Sequence, residues 1–317
     1  MDLVTLLLLL AVPAVLGLAV VWLWTPDKQR AVLERDYLTD PADMIEVGGA
    51  SLHVRDEGPR TRPGGREPET VPTVILLHGF GTSLHTWEPW ARALSQNHRV
   101  ISLDLPGSGL SPPDPAKDYG DARVVALLLA LMDRKGVAQA VLIGNSIGGR
   151  IAWRAAAAHP ERVRKLVLIA PDGFASPGFE YDKAPKIPAM MTLMRYLLPK
   201  RMLRANLAQS YGDPTALSQT TVERTYDLLL APGGRQALLD RMAQTILTDP
   251  RPALQSIAAP VLLLWGEKDA LIPFANAQDY IDHLPSARLV SFPNLGHLPH
   301  EEAPEKTLPP VAAFLLE

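Results

Sequence analysis

Ser146 lies in the run Gly144-Asn145-Ser146-Ile147-Gly148, between an apolar stretch with strand character and an Ala-rich stretch with helix character. A serine hydroxyl is a weak nucleophile until a base within hydrogen-bond reach takes its proton. Glycines two residues to either side permit a tight strand-to-helix turn that lifts such a serine clear of the main chain. The helix that follows offers free N–H groups and partial positive charge, which suit a developing oxyanion. Among the eight histidines, His297 and His300 follow the strand-like run 288–292 and are the nearest rivals for the base. Acyl transfer also needs a carboxylate that orients the base. Two carboxylates follow strand-like runs: Asp172 after 167–170, and Asp269 after 261–265.

These side chains need a scaffold. The apolar runs 73–77, 100–103, 140–143, 166–169 and 261–265 are short, continuous and bounded by turn residues. Such runs fit strands of a parallel sheet covered on both faces. Helical patterns at 87–95, 121–135 and 147–159 are each about one crossover long, so the fold class is α/β with a mostly parallel, doubly wound sheet. Runs at 44–47 and 51–56 read as an opening hairpin, and 58–72, rich in Pro, Gly, Arg and Glu, as an exposed connection. The alternation stops between 171 and 257. There, helical stretches carrying Met190, Met191, Met194, Leu197, Leu203 and Leu207 imply an inserted cap. The expected parts are 1–25, an N-terminal anchor; 26–43, a juxtamembrane helix and linker; 44–170, the first part of the core; 171–257, the cap; and 258–317, the second part of the core.

Five motifs recur in one order: His78-Gly79-Phe80-Gly81, the stretch from Asp104 through Gly107 and Gly109 to Ser111, the serine turn, Gly266-Glu267-Lys268-Asp269, and Gly296-His297. From about residue 44 to 317 the chain resembles the α/β-hydrolase family. The resemblance implies an α/β-hydrolase fold with Ser146 as nucleophile and His297 as base, since the Gly-His pair followed by Glu302 and Pro304 matches at His297 rather than His300. It favours Asp269 as the acid, with Asp172 as the alternative, because family members place that carboxylate at either position. It also implies an oxyanion hole from the amides of Phe80 and Ile147. His78 and Asp104 would brace the loops. His53, His85, His98, His159 and His283 are expected to be surface or packing residues.

Residues 3–24 carry no charge, a length that as a helix spans a bilayer core of about 30 Å. Trp22 and Trp24 suit the headgroup layer and Pro26 ends the run, so one transmembrane helix is expected. Lys28, Arg30 and Arg35 behind it favour a cytoplasmic catalytic domain. The anchored layout resembles that of the membrane-bound monoacylglycerol lipases and bacterial phospholipase A enzymes, whose bacterial members often face the periplasm. The expected place is therefore the bacterial cytoplasmic membrane, with the side left open. Ala11, Ala14 and Gly17 give the helix small residues that could pack in a homodimer.

A net charge of -3 with 47% hydrophobic residues gives no polyanion-binding footprint and argues against nucleic acid as a partner. With no cysteine there is no disulfide, thiolate metal site or cysteine nucleophile. No cofactor or metal is expected. An anchor followed by an apolar, Met-rich cap resembles the membrane-bound monoacylglycerol lipases and bacterial phospholipase A enzymes, which implies a fatty-acyl ester or phospholipid substrate. Asn145 before the serine keeps open a carbon-carbon hydrolase of the meta-cleavage type. A non-catalytic ligand-binding protein of the same fold is a further alternative. Dehalogenases and epoxide hydrolases of the family use Asp where Ser146 stands.

Overall fold

A computed structural model of the chain describes residues 23–62, 69–175 and 179–317. Eight strands form one sheet in the order β1-β2-β6-β5-β7-β8-β9-β10, where β1 is Met44–Val47, β2 Ala50–Glu57, β5 Thr73–Leu77, β6 Arg99–Leu103, β7 Ala140–Asn145, β8 Val163–Ile169, β9 Val261–Gly266 and β10 Ala287–Phe292. The β1/β2 and β2/β6 pairs are antiparallel and the rest are parallel.

The inner strands are mostly apolar because both faces are covered. Successive side chains point to opposite sides, so Ile75, Leu77 and Leu142 join one core while Val74, Leu76, Val141 and Ile143 join another. Helices Asp121–Arg134 and Ile147–Ala158 fill the first core with Leu128, Leu131, Ile151 and Trp153. Helices Glu88–Leu94 and Pro304–Leu316 close the second with Trp90, Val311 and Phe314. Each such aliphatic side chain contributes roughly 1.5–3 kcal/mol through burial.

The parallel register pairs Leu77 with Gly144, Asn145 with Ile169, and Ile169 with Leu264. The carboxyl ends of β5, β7, β8 and β9 therefore reach one edge together, where open α/β sheets place their ligands. Between β8 and β9 lie helices Ala189–Thr192, Lys200–Ala208, Gln219–Leu229, Gly234–Gln244 and Arg251–Gln255. Helix Arg30–Tyr37 is seated against this segment, with Leu33 packed among Leu110, Leu228 and Ala231.

Some local details differ from the sequence expectations. The connection 58–72 contains a two-stranded piece, β3 (Thr61–Arg62) with β4 (Glu69–Thr70). The helix expected at 87–95 opens with a 3-10 turn, Leu84–Trp87, and becomes α-helical at Glu88. Pro89 sits in that helix's first turn, where its missing N–H costs no helical bond. The transmembrane helix expected over residues 3–24 lies, but for its last two residues, outside the described residues. Among the described residues, no helix is long and apolar enough to cross a membrane.

Candidate active site

Ser146 is the first residue past β7 and adopts φ 54° and ψ −121°. A non-glycine residue in that region costs roughly 1–3 kcal/mol and persists only when its surroundings hold it there. Here the Ser146 N–H donates to Ile169 O (3.0 Å), while Ser146 O accepts from Arg150 N–H (3.0 Å) and Asp172 N–H (3.1 Å). Gly148 makes the turn sterically possible, since a Cβ there would lie 2.2 Å from Leu77 O. Because the Arg150 amide reaches back to Ser146, the amides of Ile147, Gly148 and Gly149 precede the first intrahelical bond and keep their hydrogens free of it.

His297 and Asp269 come together although 28 residues separate them. Asp269 Oδ2 accepts from His297 Nδ1 at 2.7 Å, and both side chains are buried. The other oxygen, Oδ1, accepts from the amides of Leu271 (2.8 Å) and Ile272 (2.9 Å), which fixes the plane of the carboxylate. A proton held on Nδ1 leaves the Nε2 lone pair to receive one from a hydroxyl. Asn145 Nδ2 donates to His297 O at 3.0 Å and so links the residue before the serine to the histidine's main chain. The same loop is bound through Glu302, which accepts from the amides of Gly296 (2.8 Å), Gly212 (3.0 Å) and Asp213 (2.8 Å), and through Leu298 N–H to Ser210 O (3.1 Å).

The alternative residues are engaged elsewhere. Asp172 accepts from Arg150 Nη1 at 2.5 Å, and Arg150 also donates to Asp121. His300 is fully buried, stacked on Trp87 with centroids 4.1 Å apart, and its Nε2 meets Thr86 Oγ1 at 3.1 Å. Burial, with His297 nearby, pushes the His300 pKa down to about 3, which fits a packing residue.

The loop carrying Phe80 lies against the serine. A Cβ on Gly79 would stand 2.7 Å from Asn145 Oδ1 and 3.3 Å from Ser146 Cβ, so Phe80 follows a residue in direct contact with the turn. His78 holds that loop: its Nε2 accepts from Leu105 N–H (2.9 Å), leaving Nδ1 to donate to Gly79 O (2.7 Å). This bonding needs a neutral ring, and burial lowers the His78 pKa accordingly. Asp104 braces the neighbouring loops by accepting from Leu84 N–H (2.7 Å), Leu110 N–H (2.9 Å) and His53 Nδ1 (2.7 Å). Burial pushes the Asp104 carboxyl up, but the His53 bond and the nearby histidines outweigh it and hold the pKa below its ordinary value. His53 is thus a buried partner of Asp104. The pairing could not be read from residues 51 positions apart.

Beside Phe80 a cavity is lined by Gly81, Ser83, Ser108, Thr225, Leu228 and Leu238, the last three from the inserted helices. Among the described residues, no three His, Asp or Glu side chains converge as a metal site.

Residues 72–304 match the family model of the alpha/beta hydrolase fold, and the chain belongs to that family. It is a hydrolase of the α/β fold. It is 31% identical over 264 residues to a pimeloyl-[acyl-carrier protein] methyl ester esterase of Nitrosomonas europaea, covering 81% of this chain and 96% of the relative. A solved membrane phospholipase A, described as a bacterial virulence factor, superposes with a TM-score of 0.71 and 26% identity, covering 99% of this chain and 97% of that one. A meta-cleavage product hydrolase of Pseudomonas fluorescens shares the fold with a TM-score of 0.71 and 21% identity, covering 86% of this chain and 98% of its own.

Proposed function

We propose that this chain is a membrane-anchored serine carboxylic-ester hydrolase that cleaves fatty-acyl esters through an acyl-enzyme on Ser146. The observation that carries the reading is the buried Asp269–His297 pair, tied through Asn145 to the residue beside a serine in a strained turn. Ser146 Oγ attacks the ester carbonyl while His297 Nε2 takes its proton, and Asp269 stabilises the resulting imidazolium. The amides of Phe80 and Ile147 receive the oxyanion. The C–O bond to the alcohol then breaks as His297 returns the proton to the leaving oxygen. Water attacks the acyl-serine with His297 again as base, and the fatty acid departs.

Two features favour a lipid: the uncharged run 3–24 and the likeness to the phospholipase over nearly the whole chain. In this reading residues 1–25 hold the domain at a bacterial cytoplasmic membrane. Asn145 favours one second reading, a carbon-carbon hydrolase of the meta-cleavage type.

Hydrolysis by the full-length chain across p-nitrophenyl esters from acetate to palmitate separates these readings. Turnover that peaks at medium or long chains and disappears in Ser146→Ala supports the lipid reading. Cleavage of a ring-fission dienoic acid without any ester cleavage replaces it with the second reading, and no turnover of either leaves a ligand-binding protein.

A further inference from the structure

The segment that follows the uncharged run is fastened to the inserted helices. Trp24 stacks on Tyr196, with centroids 5.5 Å apart and planes at 17°, and forms an isolated antiparallel bridge with Leu197. Thr25 N–H donates to Tyr196 O (2.8 Å), and Leu198 N–H donates to Thr25 Oγ1 (3.1 Å). Slightly further on, Asp27 accepts from Gly233 N–H (3.0 Å) and from Arg235 (2.6 Å), while Lys28 N–H donates to Leu230 O (2.8 Å). The chain therefore enters the folded domain against residues 193–198.

The surface around this entry point is apolar and basic at once. Met190 is 78% exposed, Met202 59% and Trp24 52%, with Leu193 and Tyr196 about half exposed between them. Four of these exposed side chains fall within residues 190–202, in the stretch on which Trp24 is stacked, and exposed apolar groups brought together mark a contact surface. Residues 183–212 also contain Lys183, Lys186, Arg195, Lys200, Arg201 and Arg204 and not one Asp or Glu, in a chain whose net charge is -3. All six basic residues are exposed. Lys183 pairs with Glu180, whereas the other five take no carboxylate partner among the described residues. Arg195 instead lies over the Tyr196 ring, and Lys200 over Tyr226.

Apolar tips interleaved with unpaired cations fit a headgroup layer, where the tips reach the acyl boundary and the cations meet lipid phosphates. We propose that the face formed by Trp24, Met190, Leu193, Tyr196 and Met202, with the basic helix Lys200–Ala208, seats on an anionic bilayer surface. The partner is a lipid bilayer because an uncharged run of bilayer-spanning length ends at Trp24, which stacks on Tyr196 of this face, and its anionic character follows from the excess of cations. The inference rests on the reading of residues 1–25 as a membrane segment, and it makes the inserted helices, rather than the sheet, the membrane-facing side.

The absence of cysteine makes the test direct. A single cysteine carrying an environment-sensitive fluorophore is placed at Met190→Cys or Met202→Cys in the full chain, with Asp282→Cys on an exposed position of helix Asn276–His283 as the reference. Each is reconstituted in phosphatidylcholine vesicles with and without phosphatidylglycerol, and a lipid bearing a shallow nitroxide quencher is added. The expected result is a blue shift and quenching at 190 and 202, stronger with phosphatidylglycerol, and neither at 282. Combining Lys200→Glu, Arg201→Glu and Arg204→Glu removes the phosphatidylglycerol dependence. A chain that floats with vesicles while both labels stay unquenched, or are quenched equally in the two lipids, overturns this inference and leaves the anchor standing. A chain that does not float at all removes both. Neither readout depends on turnover, so loss of the ester-hydrolase reading would be seen separately.

Discussion

The Asn145 side-chain amide donates to the main-chain carbonyls of His297 (3.0 Å) and Ile169 (3.2 Å), so the residue before Ser146 also ties down the loop that carries His297. Displacing a reacting group by about 1 Å can cost 10²-fold in rate. Asn145→Ala is therefore expected to lower kcat by roughly 10- to 100-fold with little change in KM. Asn145→Asp is expected to do worse, because a carboxylate cannot donate to either carbonyl. Steady-state kinetics on a soluble short-chain ester decide this. A wild-type kcat in Asn145→Ala would show that the tether does not position the base.

The two acidic candidates separate by measurement. Asp269→Asn loses the charge that stabilises the imidazolium and favours the wrong tautomer, so kcat is expected to fall by about 10⁴. Asp172→Asn weakens one of the two carboxylate contacts of buried Arg150, and its expected effect is a loss of about 1–3 kcal/mol in stability with kcat nearly kept. Thermal melts run beside kinetics on both variants check the division. A large kcat loss in Asp172→Asn without one in Asp269→Asn would reverse the assignment.

Glu302 holds three amides from two segments, Gly296 beside His297 and Gly212 and Asp213 from the inserted region. Glu302→Gln keeps the shape but replaces one acceptor oxygen by a donor NH2 group and removes the charge. Charge-assisted bonds of this kind contribute about 1.5–3 kcal/mol each. The variant is expected to melt earlier and to lose activity together with stability, as a denaturation curve and a rate measured on one preparation will reveal. Unchanged values in both would mean the loop is held without this carboxylate.

Acid should destabilise the fold through its buried neutral histidines. Burial lowers the His85 pKa to about 4 and that of His300 to about 3, from an ordinary 6.5. The unfolded chain therefore binds more protons than the folded one below pH 6.5. Stability is full above that value and falls with pH down to the folded pKa, at about 2 kcal/mol per histidine between pH 7 and pH 5. His300→Gln is expected to flatten this slope while costing stability at pH 7, where the stack on Trp87 and the Thr86 contact are lost. Denaturant midpoints at the two pH values measure it, and an unchanged slope would contradict the assignment.

Much of the scaffold was legible because its signals are local. The run 73–77 coincides with β5, and the Ala-rich stretch after Ser146 is a helix starting at Ile147. Motif order brought Ser146, Asp269 and His297 forward, since each stands in a turn with its own residue pattern. The supports were not legible. Nothing near Glu302 signals that it will accept the amides of Gly212 and Asp213, about 90 positions away, and nothing near Asp27 signals Arg235, 208 positions away. These contacts exist only once the inserted helices have folded back over the sheet edge, so they depend on topology rather than on local propensity.

The central claim is a covalent intermediate on Ser146, and reaction of the full-length chain with a fluorophosphonate, read by intact mass and peptide mapping, tests it most directly. The account predicts one adduct, mapped to Ser146, absent in Ser146→Ala and formed far more slowly in His297→Ala. An adduct that persists in Ser146→Ala, together with ester hydrolysis at the wild-type rate in that variant, would contradict it.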